Sequence, residues 1–267
     1  MRIGRIGYIN CAPVYGAIDR GIVALPPGAE LVTGTPAELN DLLVAGELSV
    51  SVISAIEFFR HMKELELHPE LAISCDGPVR SVALFSRRAV RQLDGRTVLL
   101  SASSRTSVAL LELLCREVWK IKPKFADARA EAQDLEALAT LPHEAVLVIG
   151  DAALKLAAAG TYEHRYDLGD EWKRWTGLPF VFAVWAGRRD AASESVQGVH
   201  QALLASRAWG LAHLDEIARD AARITQLPVT TCREYFNGLD YAFSAKHVAG
   251  LTEFVRRIGE GPFMQVA

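Results

Sequence analysis

Short apolar runs alternate with helical patterns along the first part of the chain, as they do in proteins built on a parallel α/β sheet. Residues 5–9, 30–33 and 48–53 are the first three predicted strands. Between them, Thr35 is followed by Pro36 and by Glu38, the pattern of a capping box with proline at the first helical position. Ser54 is followed three positions later by Glu57, so a second capping box is predicted there.

A second α/β run follows the first. Residues 71–75 and 79–86 are predicted strands, and 97–100 and 145–149 are strands that each lead into a helix. The last third differs, because residues 178–186 form an almost unbroken apolar and aromatic run, which is typical of a buried strand. Beyond Asp190 the pattern is almost entirely helical.

The simplest arrangement of these elements is an α/β protein with two lobes and a cleft between them. Residues 1–84 together with 186–267 are predicted to form one lobe, which includes the helical C-terminal tail, and residues 85–185 the other. Two crossover strands, within 79–86 and 180–186, are predicted to join the lobes, since such strands allow closure over a ligand. A single larger sheet is the alternative that the pattern leaves open.

Composition and charge narrow the function. The 267 residues carry a formal net charge of −3, which gives no reason to expect nucleic acid or an anionic membrane as a partner. An anionic substrate therefore has to be held by local donors. The four cysteines form no CxxC pair and the histidines form no HExxH motif, so we expect reduced thiols and no metal. Without a signal-peptide pattern or an apolar run of about 18 residues, we expect a cytoplasmic protein.

Small polar residues follow several predicted strands, where α/β proteins bind their ligands. Ser104, Thr106 and Ser107 lie in a turn before a helix, where hydroxyls and backbone N–H groups bind an anion or simply cap the helix; the pattern leaves both open. For Asn10 it favours a turn-shaping role over a hydrogen bond to substrate. Other such positions are Ser54, Gly150 and Asp151, of which Asp151 is a candidate base or a residue favoured by the helix dipole. For Ser81, in the strand predicted at 79–86, the pattern favours a satisfied polar group in the sheet over a hydroxyl presented to a cleft.

Five sequence blocks carry a resemblance to a known family. They are GYINCAPVY (7–15), CDGPVRSVALFS (75–86), SRTSVALL (104–111), IGDAAL (149–154) and DLGDEWKRWTGLPFVFAVWA (167–186). Their order and number are more specific than any single motif. The chain resembles the chorismate dehydratases of the futalosine route to menaquinone.

The resemblance implies the type II fold of periplasmic binding proteins and a lyase that converts chorismate to 3-[(1-carboxyvinyl)oxy]benzoate and water, without a metal or organic cofactor. It implies that Asn10 and Ser81 are the catalytic residues, in place of the roles that their sequence positions favour. The turn at Thr106 and Ser107 matches the segment that holds a substrate carboxylate. The full predicted substrate-binding set is Ser54, Ser104, Thr106, Ser107, Gly150 and Asp151.

Two alternatives remain at this point. A sister enzyme that makes 1,4-dihydroxy-6-naphthoate has a similar fold, but it relies on a histidine where this chain has Ile149, Gly150 and Asp151. A solute-binding protein for a small carboxylate is the other alternative, although that class is normally exported. Chorismate is the only partner that the favoured interpretation requires, and the oligomeric state is left open.

Overall fold

The computed structural model describes residues 1–101, 104–128, 135, 138 and 141–259, apart from the side chain of Ser193. The chain divides into two compact units. The first consists of Met1–Ser74 and Val181–Ser244, and the second of Cys75–Phe180 and Ala245–Ala267. Each unit has a five-stranded sheet with helices, so the predicted mixed α/β class is confirmed.

The sheet of the first unit contains parallel and antiparallel strand pairs. Its strands are β1 (Arg2–Ile6), β2 (Glu30–Gly34), β3 (Val50–Ser54), β4 (Leu65–Cys75) and β10 (Phe180–Arg188). They lie in the order β2-β1-β3-β10-β4. β1 pairs in parallel with β2 and β3, whereas β10 runs antiparallel to β3, with Ala183 opposite Ser54 and Gly187 opposite Val50. All residues of β3 are buried, including its two serines, Ser51 and Ser54.

The first unit contains six α-helices among its described residues. They are α1 (Ala12–Asp19), α2 (Pro36–Val44), α3 (Ala55–Arg60), α7 (Ser193–Ala212), α8 (Leu214–Thr225) and α9 (Val229–Asn237), numbered along the chain. α1 packs on α7, where the Ala17 N–H donates to the Ser206 hydroxyl (3.2 Å). A Cβ atom at Gly210 would lie 2.0 Å from the Pro13 carbonyl oxygen, so this contact between the helices requires glycine.

The sheet of the second unit repeats the strand pattern of the first. Its strands are β5 (Val82–Ser86), β6 (Thr97–Leu100), β7 (Lys124–Asp127), β8 (Ala145–Ile149) and β9 (His164–Asp167), in the order β7-β6-β8-β5-β9. β6 is parallel to β7 and β8, and β5 is antiparallel to β8 and β9. The described helices are α4 (Arg105–Leu114), α5 (Gly150–Ala159), α6 (Leu168–Thr176) and α10 (Ala245–Ile258).

The last helix departs from the predicted organisation, because α10 packs in the second unit and not with the rest of the helical tail. Aromatic packing explains this: the Phe254 ring meets Trp172 and Phe180 edge-on, with centroids 6.0 and 5.0 Å apart. Gly250 also approaches the Pro179 carbonyl so closely that a Cβ atom would lie 2.1 Å from its oxygen.

The strand predicted at 79–86 also differs. β5 begins at Val82, after a tight turn at residues 79–81, and it pairs only within the second sheet. The chain passes between units near Ser74 and Cys75, ahead of the predicted crossover, and returns at Phe180 and Val181.

The two predicted capping boxes have different outcomes. At Thr35 the box is present: the hydroxyl accepts from the Glu38 N–H, and the Glu38 carboxylate accepts from the Thr35 N–H. At Ser54 the prediction is wrong, because the side chain makes no cap hydrogen bond and Glu57 pairs with Arg60 instead. The Ser54 hydroxyl is held by Asn40, from a different helix.

Candidate active site

Asn10 lies just beyond the carboxyl end of β1, in a single 3-10 turn formed by Ile9–Cys11. The Cys11 N–H donates to the Tyr8 carbonyl oxygen (3.2 Å) and closes this turn. The Asn10 Oδ1 atom is buried and has no hydrogen-bond partner among the described residues. A buried acceptor left unsatisfied costs about 1–3 kcal/mol, so a donor that reaches this oxygen gains an interaction that the protein alone does not supply.

A buried chain of hydrogen bonds fixes the turn that carries Asn10. The Trp185 indole N–H donates to the Tyr15 hydroxyl (3.0 Å), and that hydroxyl donates to the Gly4 carbonyl oxygen (3.0 Å). Burial raises the pKa of Tyr15, so the phenol stays protonated and keeps donating. Because Gly4 is in β1 and Tyr15 in α1, the two elements on either side of Asn10 are tied together.

Ser54 lies at the end of β3, which neighbours β1 in the sheet. Its hydroxyl accepts from the Asn40 amide nitrogen (3.0 Å), and its N–H donates to the Asn40 oxygen (3.0 Å). Both side chains are buried. The sequence analysis missed Asn40, a polar residue on the apolar face of α2. In this pairing the Ser54 hydroxyl serves as an acceptor, so its own proton is not used in the bond to Asn40.

Ser81 directly precedes β5 and is buried. Its N–H donates to the Val79 carbonyl oxygen (2.7 Å), and its own carbonyl accepts from the Gly150 N–H (2.8 Å). Arg80, which lies between Val79 and Ser81, has a φ of 65°, a positive value that residues other than glycine rarely adopt. The backbone on both sides of Ser81 is thus fixed by close hydrogen bonds.

The hydroxyl-rich turn leads into α4, and its residues 102 and 103 lie outside the described part of the chain. Ser104 caps the helix, since its hydroxyl accepts from the Ser107 N–H (3.3 Å). The Ser104 and Ser107 hydroxyls lie 2.8 Å apart, and Thr106 and Ser107 are buried. Helix capping, one of the two interpretations open from sequence, therefore occurs here, and anion binding by the same turn stays a prediction.

Gly150 and Asp151 form the first turn of α5, directly after β8. Gly150 has a positive φ of 65°, a conformation for which glycine has no steric penalty. Its hydrogen bond to Ser81 joins the two candidate positions. Asp151 lies in the first turn without capping the helix through its side chain.

The eight predicted residues fall into two groups, one in each unit. Asn10 and Ser54 follow adjacent strands of the first sheet. In the second unit, Ser81 is bonded to Gly150, and β8 lies between β6 and β5, so the hydroxyl turn belongs to the same sheet edge. The structure thus brings together the members of each group within its own unit.

Asp167 is a further residue that the sequence analysis did not identify. It ends β9 and is mostly buried, with four backbone N–H groups directed at its carboxylate. Burial raises the pKa of this carboxyl above its ordinary value, although backbone N–H groups, among them those of Val79, Arg80 and Asp170, act in the opposite direction. The sequence signal was its place at the head of the block DLGD (167–170), just before a helix.

A pocket of about 550 Å³ lies within the first unit, beside the turn that carries Asn10. It is lined by the carboxyl end of β1, by α1 and by α8, and Tyr8, Cys11 and Ile217 are among the lining residues. Asn10 is not one of the lining residues. This pocket is therefore a neighbour of the Asn10 turn and not a cavity around its side chain.

Within the described residues, no three His, Cys, Asp or Glu side chains converge as metal ligands do. None of the described helices has the length and apolar character that crossing a bilayer requires.

Comparison with known sequences gives a consistent result along the chain. The sequence model of a family described as menaquinone biosynthesis matches residues 1–260. A chorismate dehydratase from Thermus thermophilus is 33% identical over 275 residues, which cover 96% of this chain and 94% of that protein.

Solved structures show the same fold at low sequence identity. Protein AF1704 from Archaeoglobus fulgidus has a TM-score of 0.77 at 19% identity and covers 97% of this chain and 96% of its own. The Candida albicans CA3427 gene product, described as having the generic periplasmic binding protein fold, has a TM-score of 0.72 at 11% identity, with coverage of 97% and 90%. The aliphatic sulphonate binding protein SsuA from Escherichia coli has 0.65 at 16% identity, with coverage of 96% and 85%. The predicted periplasmic-binding-protein-like fold is confirmed.

Proposed function

The chain belongs to the menaquinone biosynthesis family, and on that premise we propose that it is a lyase that dehydrates chorismate to 3-[(1-carboxyvinyl)oxy]benzoate. The observation that carries the proposal is the 33% identity to a chorismate dehydratase, which extends over 96% of this chain. The family model matches residues 1–260, which include every block that carries the candidate residues, from the Asn10 turn to the strand β10.

The reaction removes a proton and a hydroxyl group from neighbouring carbons of the substrate ring. The C–H bond that breaks lies between the enol ether and the diene carboxylate, and its electron pair becomes the new ring double bond. The hydroxyl leaves with a proton as water, and the ring becomes aromatic. Because aromatisation drives the reaction, the protein has to supply orientation and to stabilise negative charge as it develops.

In this proposal the side-chain carboxylate of the substrate takes the ring proton and passes it to the departing hydroxyl, which leaves as water, while Asn10 and Ser81 orient that carboxylate and assist the departure. The unpartnered Asn10 Oδ1 supports this role, because it is an acceptor for a substrate hydroxyl or a protonated carboxyl group. Ser81 supports it through its fixed backbone, which gives its hydroxyl a defined direction. An oriented donor costs no reorganisation when the charge appears.

The second substrate carboxylate is assigned to the turn before α4. The N-terminus of this ten-residue helix presents backbone N–H groups and a positive dipole end. Ser104, Thr106 and Ser107 add hydroxyls at the same place. Such a local site suits a protein whose net charge of −3 does not attract an anion.

A cytoplasmic location belongs to the same proposal. Its support is that Cys11, Cys75, Cys115 and Cys232 are all buried and that none forms a disulfide. This is the usual state of cysteines in a reducing compartment. Cell fractionation with an antibody against the chain tests it, and recovery in the periplasmic or secreted fraction would refute it.

The test of the activity is to incubate the purified protein with chorismate, without added metal or cofactor, and to follow the ultraviolet spectrum and the product mass. We expect a product lighter than chorismate by one water, with the spectrum of a substituted benzoate. Unchanged chorismate that stays bound to the folded protein would indicate a solute-binding role instead. The variant Asn10→Ala is the matched control, since we expect it to fold and to turn over little substrate.

A further inference from the structure

The turn that precedes Ser81 is a strained one. The Ser81 N–H donates to the Val79 carbonyl oxygen two residues earlier (2.7 Å), and Arg80 between them has a φ of 65°. These two features define a γ-turn whose central residue is left-handed, which is the rarer and less stable form. A backbone of this kind costs about 1–3 kcal/mol and persists only when its surroundings hold it.

The Asp167 carboxylate holds both N–H groups of this turn. Its Oδ1 atom accepts from the Val79 N–H (3.0 Å), and its Oδ2 atom accepts from the Arg80 N–H (2.6 Å). The register of the sheet brings the groups together, because Asp167 ends β9 opposite Ala83, near the start of β5. One side chain thus contacts the backbone of both residues that precede Ser81.

The same carboxylate caps α6, since Oδ1 also accepts from the Gly169 N–H (3.0 Å) and the Asp170 N–H (3.2 Å). A cap alone does not require a buried carboxylate. Ser104 caps α4 in the same unit with a hydroxyl, and burying a hydroxyl costs less than burying a charge. The hydrogen bond that requires the second carboxylate oxygen is the one that Oδ2 accepts from the Arg80 N–H.

The start of α6 also lies directly against the segment that leads to the turn. A Cβ atom at Gly169 would lie 2.5 Å from the Cys75 sulfur and 2.7 Å from the Gly77 carbonyl oxygen. Glycine at this position therefore lets the helix come close enough for Asp167 to reach Val79 and Arg80. The sequence Asp-Leu-Gly at 167–169 supplies both requirements.

We propose that Asp167 is a positioning residue for Ser81: its carboxylate holds the left-handed turn at Arg80 and so fixes the direction of the serine hydroxyl. The inference rests on the proposed function, in which Ser81 acts on the substrate. Asp167 does not itself touch the substrate in this account. Its effect is transmitted through two backbone N–H groups.

The first test replaces Asp167 so that the helix cap stays and the contact with the turn is lost. Asp167→Ser keeps a good capping hydroxyl but is too short to reach Val79 and Arg80. We expect kcat to fall by about tenfold to a hundredfold with a smaller change in KM, since small misplacements of a reacting group have effects of that size. A variant with wild-type kcat would overturn the proposal.

A matched control separates positioning from loss of a cap. Thr35→Ala removes the cap of α2 in the first unit, where the Thr35 side chain forms its hydrogen bonds with Glu38. We expect it to lower the free energy of unfolding without changing kcat. If Asp167→Ser prevents folding, Asp167→Asn replaces it. Its oxygen can stay at the Oδ1 position, which serves the cap and Val79, while an NH2 group that cannot accept faces Arg80.

Rescue through Arg80 is the sharper test. Glycine adopts a positive φ without steric cost, whereas alanine does not, and both remove the guanidinium group. In the Asp167→Ser background we expect Arg80→Gly to restore a larger part of kcat than Arg80→Ala. Equal rates for the two double variants would contradict a role for Asp167 in holding the turn.

A measurement independent of activity distinguishes failure of this inference from failure of the proposed function. Amide hydrogen exchange at Arg80 and Ser81 reports on the turn whatever the protein catalyses. We expect faster exchange there in Asp167→Ser and no change in Thr35→Ala. Unchanged exchange would refute the positioning role, whereas faster exchange in a protein that does not dehydrate chorismate would refute only the proposed function.

Discussion

The two units have the same strand order in four of their five strands, but the polar residues at the ends of these strands differ in their hydrogen bonding. In the first unit the order β2-β1-β3-β10 places three parallel strands beside an antiparallel one, and β7-β6-β8-β5 repeats this in the second. The turn after β1 presents Asn10 with an unpartnered buried oxygen. In the corresponding turn after β6, the Ser104 hydroxyl caps α4. Topology thus decides where a polar turn lies, and local hydrogen bonding decides which of its atoms already have a partner.

Equivalent positions in the antiparallel strands β5 and β10 also differ between the two units. Val82 of β5 lies opposite Ile149, and Ala183 of β10 lies opposite Ser54. The residues just before these pairs therefore correspond, and they are Ser81 in the second unit and Phe182 in the first. One unit places a hydroxyl at this position and the other an aromatic ring. Ser81 is also preceded by a strained turn at Arg80.

The largest effect is expected from Asn10 in the first unit. Asn10→Ala removes an oriented polar group that the proposed mechanism uses, so kcat should fall by about a hundredfold or more. The same change removes an unsatisfied buried oxygen, so the free energy of unfolding should stay the same or rise. Steady-state kinetics and urea unfolding of the same preparation measure the two. A loss of stability that matches the loss of rate would contradict the assignment.

His68 tests whether an unpartnered buried atom affects the reaction only at the candidate site. Its Nε2 atom also has no partner among the described residues, but it adjoins Gly187, which pairs with Val50 at the opposite end of β3 from Ser54. Burial, followed by the neighbouring His200, lowers the pKa of His68 from 6.5 to about 4. The unfolded chain therefore takes up this proton at higher pH than the folded protein does.

The free energy of unfolding should thus fall as the pH is lowered through the range between these two values, by about 3 kcal/mol for this group. Urea unfolding of wild type and His68→Gln at several pH values measures the difference, and the variant should lose less stability across the range. At neutral pH its kcat should equal that of the wild type. A large loss of kcat would remove the distinction drawn between His68 and Asn10.

Substitution of Asn40 tests whether its side chain holds Ser54 in place. Asn40→Ala leaves the buried Ser54 N–H and hydroxyl without their partner, so we expect a loss of about 1–3 kcal/mol of stability. Ser54→Ala leaves only the Asn40 amide group in need of a partner and should cost less. Denaturant unfolding of both variants measures the order, and the reverse order would show that Ser54 is held by other contacts.

The smallest expected change in stability comes from removing a helix cap, and each unit offers one such cap for comparison. Ser104→Ala and Thr35→Ala each remove a side-chain cap, and each should lower the free energy of unfolding by about 1 kcal/mol. Only Ser104→Ala should also raise KM for chorismate, because its turn is assigned to a substrate carboxylate. Equal KM values for both variants would leave the turn before α4 with a capping role alone.

Much of the fold was predictable because its signals are local. The capping box at Thr35, the strand at 145–149 and the apolar run that became β10 depend on neighbours in sequence. The box predicted at Ser54 failed because the partner of that serine, Asn40, comes from another helix. The placement of α10 failed for a similar reason, since packing of Phe254 on Trp172 has no signature in periodicity.

The candidate residues were predictable as types, but their environments were not. A polar residue after a strand is visible in the sequence, which singled out Asn10, Ser54 and the hydroxyl turn. The turn at Arg80 depends on the pairing of β5 with β9, and its contact with Asp167 joins residues 87 positions apart. Nothing local marks that contact, so only the resemblance directed attention to Ser81.

The central proposal is that Asn10 and Ser81 both act in the dehydration of chorismate. The most direct measurement compares kcat for Asn10→Ala, Ser81→Ala and the double variant with chorismate. Residues that act as a unit give losses far from additive in free energy. We therefore predict that each single variant loses about a hundredfold and that the double variant loses little more than the worse single one. Wild-type kcat in either single variant, or losses that simply multiply, would contradict the account.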